Sequence, residues 1–181
     1  MAQPLIRHTK IQLVVRRLAA ALNEDYQGKD PVLLCVLTGA FMFFADLIRL
    51  LTIPHQVDFM KIGTYGNSQS AQIPKAYLYP SLPLVERNVI VIDDILDTGR
   101  TATFVTEILE MYQPASLTYC FLLSKIAHRE KTILTPYVGL EIGDQFVYGY
   151  GLDRQGRDRH LLDIYELSEK SDNEVDHAES E

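Results

Sequence analysis

The chain has 181 residues, 47% of them hydrophobic, and a formal net charge of −7, a length that suits one domain with a sizeable core. No apolar run approaches a membrane span and the N-terminus lacks the apolar region of a signal peptide, so neither a membrane partner nor export is expected. The charge sits at the end: Glu166 to Glu181 carries seven acids and one lysine, which leaves residues 1–165 near −1 and gives no support to a basic nucleic-acid surface.

In chain order, Ile11, Val14, Val15, Leu18, Ala19 and Leu22 mark an amphipathic first helix, suited to a sheet face or a subunit contact. Pro31 introduces Val32 to Leu37, a strand apolar on both sides. Thr38-Gly39-Ala40 then turns into a helix with Phe41, Phe44, Ala45 and Ile48 on one face. Val57 to Ile62 reads as a third strand. Gly63 to Ser81 is polar and rich in Gly, Ser, Gln and Pro, a mobile excursion. Val89-Ile90-Val91-Ile92 is a strand buried on both faces, expected to end at Asp93-Asp94. A polar loop follows, then a helix carrying Val105, Ile108, Leu109 and Tyr112. Leu117 to Leu123 is another buried strand, and Gly149-Tyr150-Gly151 reads as a Gly-rich strand after Phe146-Val147. Strands alternating with helices predict an α/β fold with a mostly parallel sheet and helices on both faces. One domain over residues 1–165 and an acidic, disordered tail over 166–181 are expected. Cys35 and Cys120 sit in apolar runs and read as buried free thiols, which fits the cytoplasm.

The densest chemistry is the loop after the fourth strand. Asp97-Thr98-Gly99-Arg100-Thr101 offers successive backbone N–H groups at a helix N-terminus and two hydroxyls, and Gly99 permits a left-handed backbone. That combination makes a phosphate cradle. Asp93 and Asp94 cannot bind phosphate directly; they suit sugar hydroxyls, or a hydrated Mg²⁺ shared with a pyrophosphate. Together the two halves would hold a phosphorylated sugar. Three carboxylates crowded at a strand end cost stability unless a cation or ligand joins them. No Walker-type Gly-x-x-x-x-Gly-Lys-Ser/Thr or dinucleotide Gly-x-Gly-x-x-Gly is present.

The run from Asp93 to Thr101 resembles the phosphoribosyl-diphosphate signature of type I phosphoribosyltransferases. Leu37 to Leu47, Val57 to Met60, Thr64-Tyr65-Gly66 and Phe146 to Asp153 resemble hypoxanthine-guanine phosphoribosyltransferases, in the family's order and over about residues 30–162. The resemblance implies a type I fold with a mobile hood over the site. It also implies Mg²⁺-dependent transfer of 5-phosphoribosyl from 5-phosphoribosyl 1-diphosphate to N9 of hypoxanthine or guanine, in purine salvage, by a dimer or tetramer.

Residue by residue, the resemblance implies that Asp93 and Asp94 hold the ribose hydroxyls, directly or through Mg²⁺, and that Asp97 to Thr101 hold the 5′-phosphate. Asp97 is the acid–base group at purine N7. Thr38 and Gly39 meet pyrophosphate through their amides, with a non-proline cis peptide between Leu37 and Thr38; the family often has lysine where Thr38 stands. Arg159 meets pyrophosphate as well, and Asp153 lies near Mg²⁺ and the base edge. Lys125 donates to purine O6, Phe146 stacks on the base, and the carbonyls of Val147 and Asp153 read its edge, which disfavours xanthine. Thr64 and Tyr65 begin the loop that closes over the reaction and excludes water. His128 and Arg129 could support anions. His128-Arg129-Glu130 is also reminiscent of RNA-binding relatives similar to pyrimidine operon attenuators, but these lack a carboxylate at the position of Asp97 and have a basic binding face.

Overall fold

The computed structural model describes residues 3–65, 73–127, 130, 133 and 137–167. In chain order the elements are α1 (His8–Asp25), β1 (Val32–Leu37), α2 (Phe41–Ile48), β2 (Gln56–Tyr65), β3 (Ile73–Leu78), β4 (Asn88–Leu96), α3 (Arg100–Glu110), β5 (Ser116–Lys125), β6 (Tyr137–Ile142), β7 (Val147–Tyr148) and β8 (Tyr165–Glu166). Six strands form one sheet in the order β3-β2-β1-β4-β5-β6. Within this sheet, among the described residues, only the β2–β3 pair is antiparallel and the other neighbours are parallel, while β7 and β8 form a separate antiparallel pair.

Period-two alternation along the buried strands divides the core in two. Leu33, Cys35, Ile90, Ile92, Cys120 and Leu122 face α1 and α2. Val32, Leu34, Val36, Val89, Val91 and Phe121 face α3. Each fully buried aliphatic or aromatic side chain contributes about 1.5–3 kcal/mol, so the doubly covered strands β1 and β4 are the stable centre of the domain. All six apolar residues expected on α1 are buried there, against α2 and the sheet, so α1 covers a sheet face.

Several elements differ from the sequence reading. The buried stripe of α2 is Phe43, Phe44 and Leu47 rather than Phe41, Phe44, Ala45 and Ile48. A helix this apolar offers more than one helical stripe, and Asp46 decides between them by reaching Gln12 of α1 at 2.8 Å. β2 runs on to Tyr65 and returns as β3, so both ends of the predicted mobile excursion, Gly63 to Ser81, lie in or beside an antiparallel arm; residues 66–72 lie outside the described residues. Asp58 anchors the base of that arm, its carboxylate accepting from the N–H groups of Phe59, Ser81 and Leu82 at 2.7–2.8 Å. β4 does not end at Asp93 but continues to Leu96, because Ile95 and Leu96 still pair with Leu123 and Ser124 of β5. Gly149-Tyr150-Gly151 is a tight turn, not a strand: its three φ angles are +95°, +52° and +99°. Described contacts extend to Leu167, whose N–H donates to Phe146 O at 2.9 Å; the rest of the expected tail, 168–181, lies outside the described residues.

Candidate active site

Parallel strands deliver their C-terminal ends to one edge of the sheet, where α/β folds bind ligands. A cavity of about 390 Å³ opens at the ends of β1 and β4. Its lining includes Thr38 and Gly39, the run Asp93 to Gly99, Thr101, Asp153 and Arg159, with Ile62 and Gly63 of β2 on the far wall. Residues more than 100 positions apart in the chain thus meet in one place.

Asp93 is buried. Burial pushes its carboxyl well above the usual carboxylate range and the charge of Asp94 adds to this, while the N–H of Asp94, donating to Asp93 Oδ1 at 3.0 Å, opposes both. Burial also raises Asp94; the Ile95 N–H at 2.7 Å and the charge of Arg159 offset part of that rise. The pair is therefore short of positive charge, which is the electrostatic condition for a cation or a cation-bearing ligand.

Gly99 caps α3 with φ +84°, a left-handed conformation that glycine adopts without steric cost. The first turn of α3 carries no acid, so no side chain within that turn offsets its positive dipole end. Thr98 Oγ1 accepts from Arg100 N at 3.3 Å, closing the turn. Arg100, however, is not part of the cavity lining. It is half exposed and pairs with Glu130.

Two glycines hold the walls together. A Cβ on Gly39 would overlap the Asp94 carboxylate, and one on Gly151 would overlap Gly39 O. The β1 loop, the acidic pair and the Gly149–Gly151 turn are packed to contact, and only a residue without a side chain fits between them. The Leu37–Thr38 peptide is cis. On the opposite wall Arg159 pairs with Asp153 at 2.8 Å and donates to Gly151 O at 2.8 Å, while Asp153 Oδ2 accepts from Gly156 N at 2.7 Å.

Lys125 ends β5, its side chain 9% exposed, with Nζ 3.6 Å from Asp97 Oδ2 and 3.3 Å from Asp144 O. It borders the cavity through Asp97 rather than lining it. Phe146 is 53% exposed, and Val147 is buried in the core. Thr64 and Tyr65 belong to β2, but their side chains, and all of His128 and Arg129, lie outside the described residues. Glu130 and Asp144 were not anticipated in the site. Their contacts cross 30 and 19 positions of chain and leave no local pattern to read.

A mostly parallel sheet with an acidic pair and a helix N-terminus at the ends of its central strands is an α/β architecture whose polar cleft suits a sugar phosphate. The chain matches the phosphoribosyl transferase domain over residues 4–155. It is 38% identical over 160 residues to the hypoxanthine phosphoribosyltransferase of Salmonella typhimurium, covering 87% of this chain and 90% of that protein. It is 35% identical over 162 residues to the hypoxanthine-guanine phosphoribosyltransferase of Staphylococcus aureus, covering 89% and 90%. A crystal structure of a hypoxanthine-guanine phosphoribosyltransferase from Bacillus anthracis superposes with a TM-score of 0.85 at 33% identity, covering 93% of this chain and 99% of that one. The chain belongs to the phosphoribosyltransferases, on their hypoxanthine-guanine branch.

Proposed function

We propose that the protein transfers the 5-phosphoribosyl group from 5-phosphoribosyl 1-diphosphate to N9 of hypoxanthine or guanine, giving IMP or GMP and pyrophosphate in purine salvage. The observation that carries this reading is the adjacency of a phosphate-cradle loop and a nearly buried lysine, joined through Asp97 at 3.6 Å. The cradle of Asp97 to Thr101 holds the 5′-phosphate, and Asp93 and Asp94 hold the ribose hydroxyls. Purine N9 bonds to C1′ as the bond from C1′ to the pyrophosphate oxygen breaks. Asp97 takes the proton that N7 loses. Arg159 and the Thr38 and Gly39 amides bind the departing pyrophosphate.

Lys125 donates to O6, a contact that suits hypoxanthine and guanine and turns away adenine, whose amino group is also a donor. Phe146 has an exposed ring face for stacking, and the carbonyls of Val147 and Asp153 accept from the base edge. Thr64 and Tyr65 begin the closing loop, a role supported by the placement of Ile62 and Gly63 on the cavity wall.

Mg²⁺ fits this donor set. Among the described residues no cluster of three or more ligating side chains exists, and Mg²⁺ prefers one or two carboxylates with waters and substrate oxygens to an all-protein cage. One or two of Asp93, Asp94 and Asp153 would hold it, with waters and substrate oxygens filling the remaining positions. When bound it neutralises pyrophosphate charge.

A homo-oligomer is proposed as the working form. It is supported by Val57, Phe59, Tyr77, Leu78 and Tyr79, large apolar side chains exposed along β2, β3 and the residue after them. The cytoplasm is the proposed compartment, supported by two buried free cysteines; burial pushes the Cys35 thiol up to about 12. Pyrophosphate release from 5-phosphoribosyl 1-diphosphate and hypoxanthine tests the reading. Release should require both substrates and stop with excess EDTA; full turnover in EDTA refutes the part assigned to Mg²⁺.

A further inference from the structure

Glu130 lies in the connection between β5 and β6 and reaches back 30 positions to the phosphate-cradle loop twice. Its carboxylate takes both faces of the Arg100 fork, Nε at 2.9 Å and Nη2 at 3.0 Å. Its own N–H donates to Thr98 O at 3.0 Å. Thr98 and Arg100 flank Gly99, the left-handed residue from which α3 starts. The loop is thereby fixed on both sides of its most permissive residue. A bidentate guanidinium–carboxylate pair fixes orientation as well as distance, and glycine is the position where an unclamped backbone has most freedom to lose.

We infer that Glu130 is a positioning residue for the 5′-phosphate site. It holds Arg100 and Thr98 so that the amides around Gly99 are set for the phosphate before ligand arrives. The inference rests on the proposed sugar-phosphate reading of the cradle. It runs against simple electrostatics: an acid close to a phosphate site should weaken binding of an anion, so its removal by charge alone would tighten binding. A clamp predicts the opposite sign. Both side chains are about half exposed, so the fold does not depend on the pair and its effect is limited to a few-fold.

The experiment is a calorimetric titration of the full-length protein with ribose 5-phosphate, paired with KM for 5-phosphoribosyl 1-diphosphate. Wild type, Glu130→Gln, Arg100→Gln and the double variant are compared. Glu130→Gln should weaken ribose 5-phosphate roughly three- to fivefold and raise KM for 5-phosphoribosyl 1-diphosphate by the same factor. KM for hypoxanthine and kcat should stay put. Because Glu130 acts through Arg100, the double variant should bind no more weakly than Arg100→Gln alone. Unchanged or tighter binding by Glu130→Gln, or additive losses in the double variant, overturns the inference while leaving the sugar-phosphate site intact. Failure of the wild type to bind ribose 5-phosphate overturns the sugar-phosphate reading and this inference with it.

Discussion

Gly39→Ala separates the site from the fold. A Cβ at position 39 would overlap the Asp94 carboxylate, the movable end of a side chain rather than backbone. The φ of Gly39 lies outside the left-handed region, so alanine is tolerated by the backbone and even restricts the unfolded chain, worth about 0.4–1 kcal/mol. Against that, the displaced carboxylate gives up the Ile95 N–H at 2.7 Å, a bond to a charged acceptor worth about 1.5–3 kcal/mol. The net loss is about 1–2 kcal/mol, a fall in Tm of roughly 2–8 °C. The site fares worse. The Asp94 carboxylate must move by more than an ångström, and a displacement of that size costs about 10²-fold in rate. Differential scanning calorimetry and kcat/KM for 5-phosphoribosyl 1-diphosphate at saturating hypoxanthine measure both. A cooperative melt with kcat/KM down about 10²-fold is expected, and Gly39→Ala/Asp94→Ala should be no worse than Asp94→Ala. Wild-type kcat/KM in Gly39→Ala would show that the position of the Asp94 carboxylate does not matter to the reaction.

Asp97→Asn should keep binding 5-phosphoribosyl 1-diphosphate but lose about 10²–10⁴-fold in kcat, the range for a lost acid–base group; wild-type kcat removes Asp97 from the chemistry. Lys125→Met should weaken hypoxanthine and guanine and narrow their lead over adenine, since a buried charged donor left unmatched costs about 1–3 kcal/mol or more; full discrimination in the variant would show that another group reads position 6. Asp93→Asn should abolish turnover yet raise the Tm of the ligand-free protein at pH 7. The folded-state pKa of Asp93 is raised by burial and by Asp94, so its contribution to stability is fully present below the unfolded value and is lost as pH rises through the folded one. The gain in Tm, about 2–4 °C for each kcal/mol of repulsion removed, should therefore shrink as pH falls through that raised value; a gain independent of pH would contradict the assignment.

The central strand, the loop after it and α3 were legible because their signals are local. Val89 to Ile92 are apolar without alternation, Asp93 to Thr101 are polar except for Ile95 and Leu96, and Val105, Ile108 and Leu109 keep helical spacing. The same holds for all six core residues of α1. What escaped depends on pairing across the fold. β3 and β6 are edge strands, defined by β2 and β5 rather than by their own pattern. The end of β4 is set by partners in β5. Arg100 fits the cradle by its place in the loop, but its side chain goes to Glu130, which only the tertiary structure brings near. Gly39 looked like a turn residue with exposed amides; that it is also the one residue type that clears Asp94 needs the distance between two loops.

The most direct test of the account is nucleotide formation by the purified protein supplied with 5-phosphoribosyl 1-diphosphate, Mg²⁺ and one purine at a time. A cradle joined to a lysine that can only donate predicts IMP and GMP, each formed one-for-one with pyrophosphate, and kcat/KM for adenine lower by up to about 10⁴-fold, with xanthine also poor. Formation of AMP from adenine at the rate of IMP from hypoxanthine, or no nucleotide from either 6-oxopurine, would contradict it.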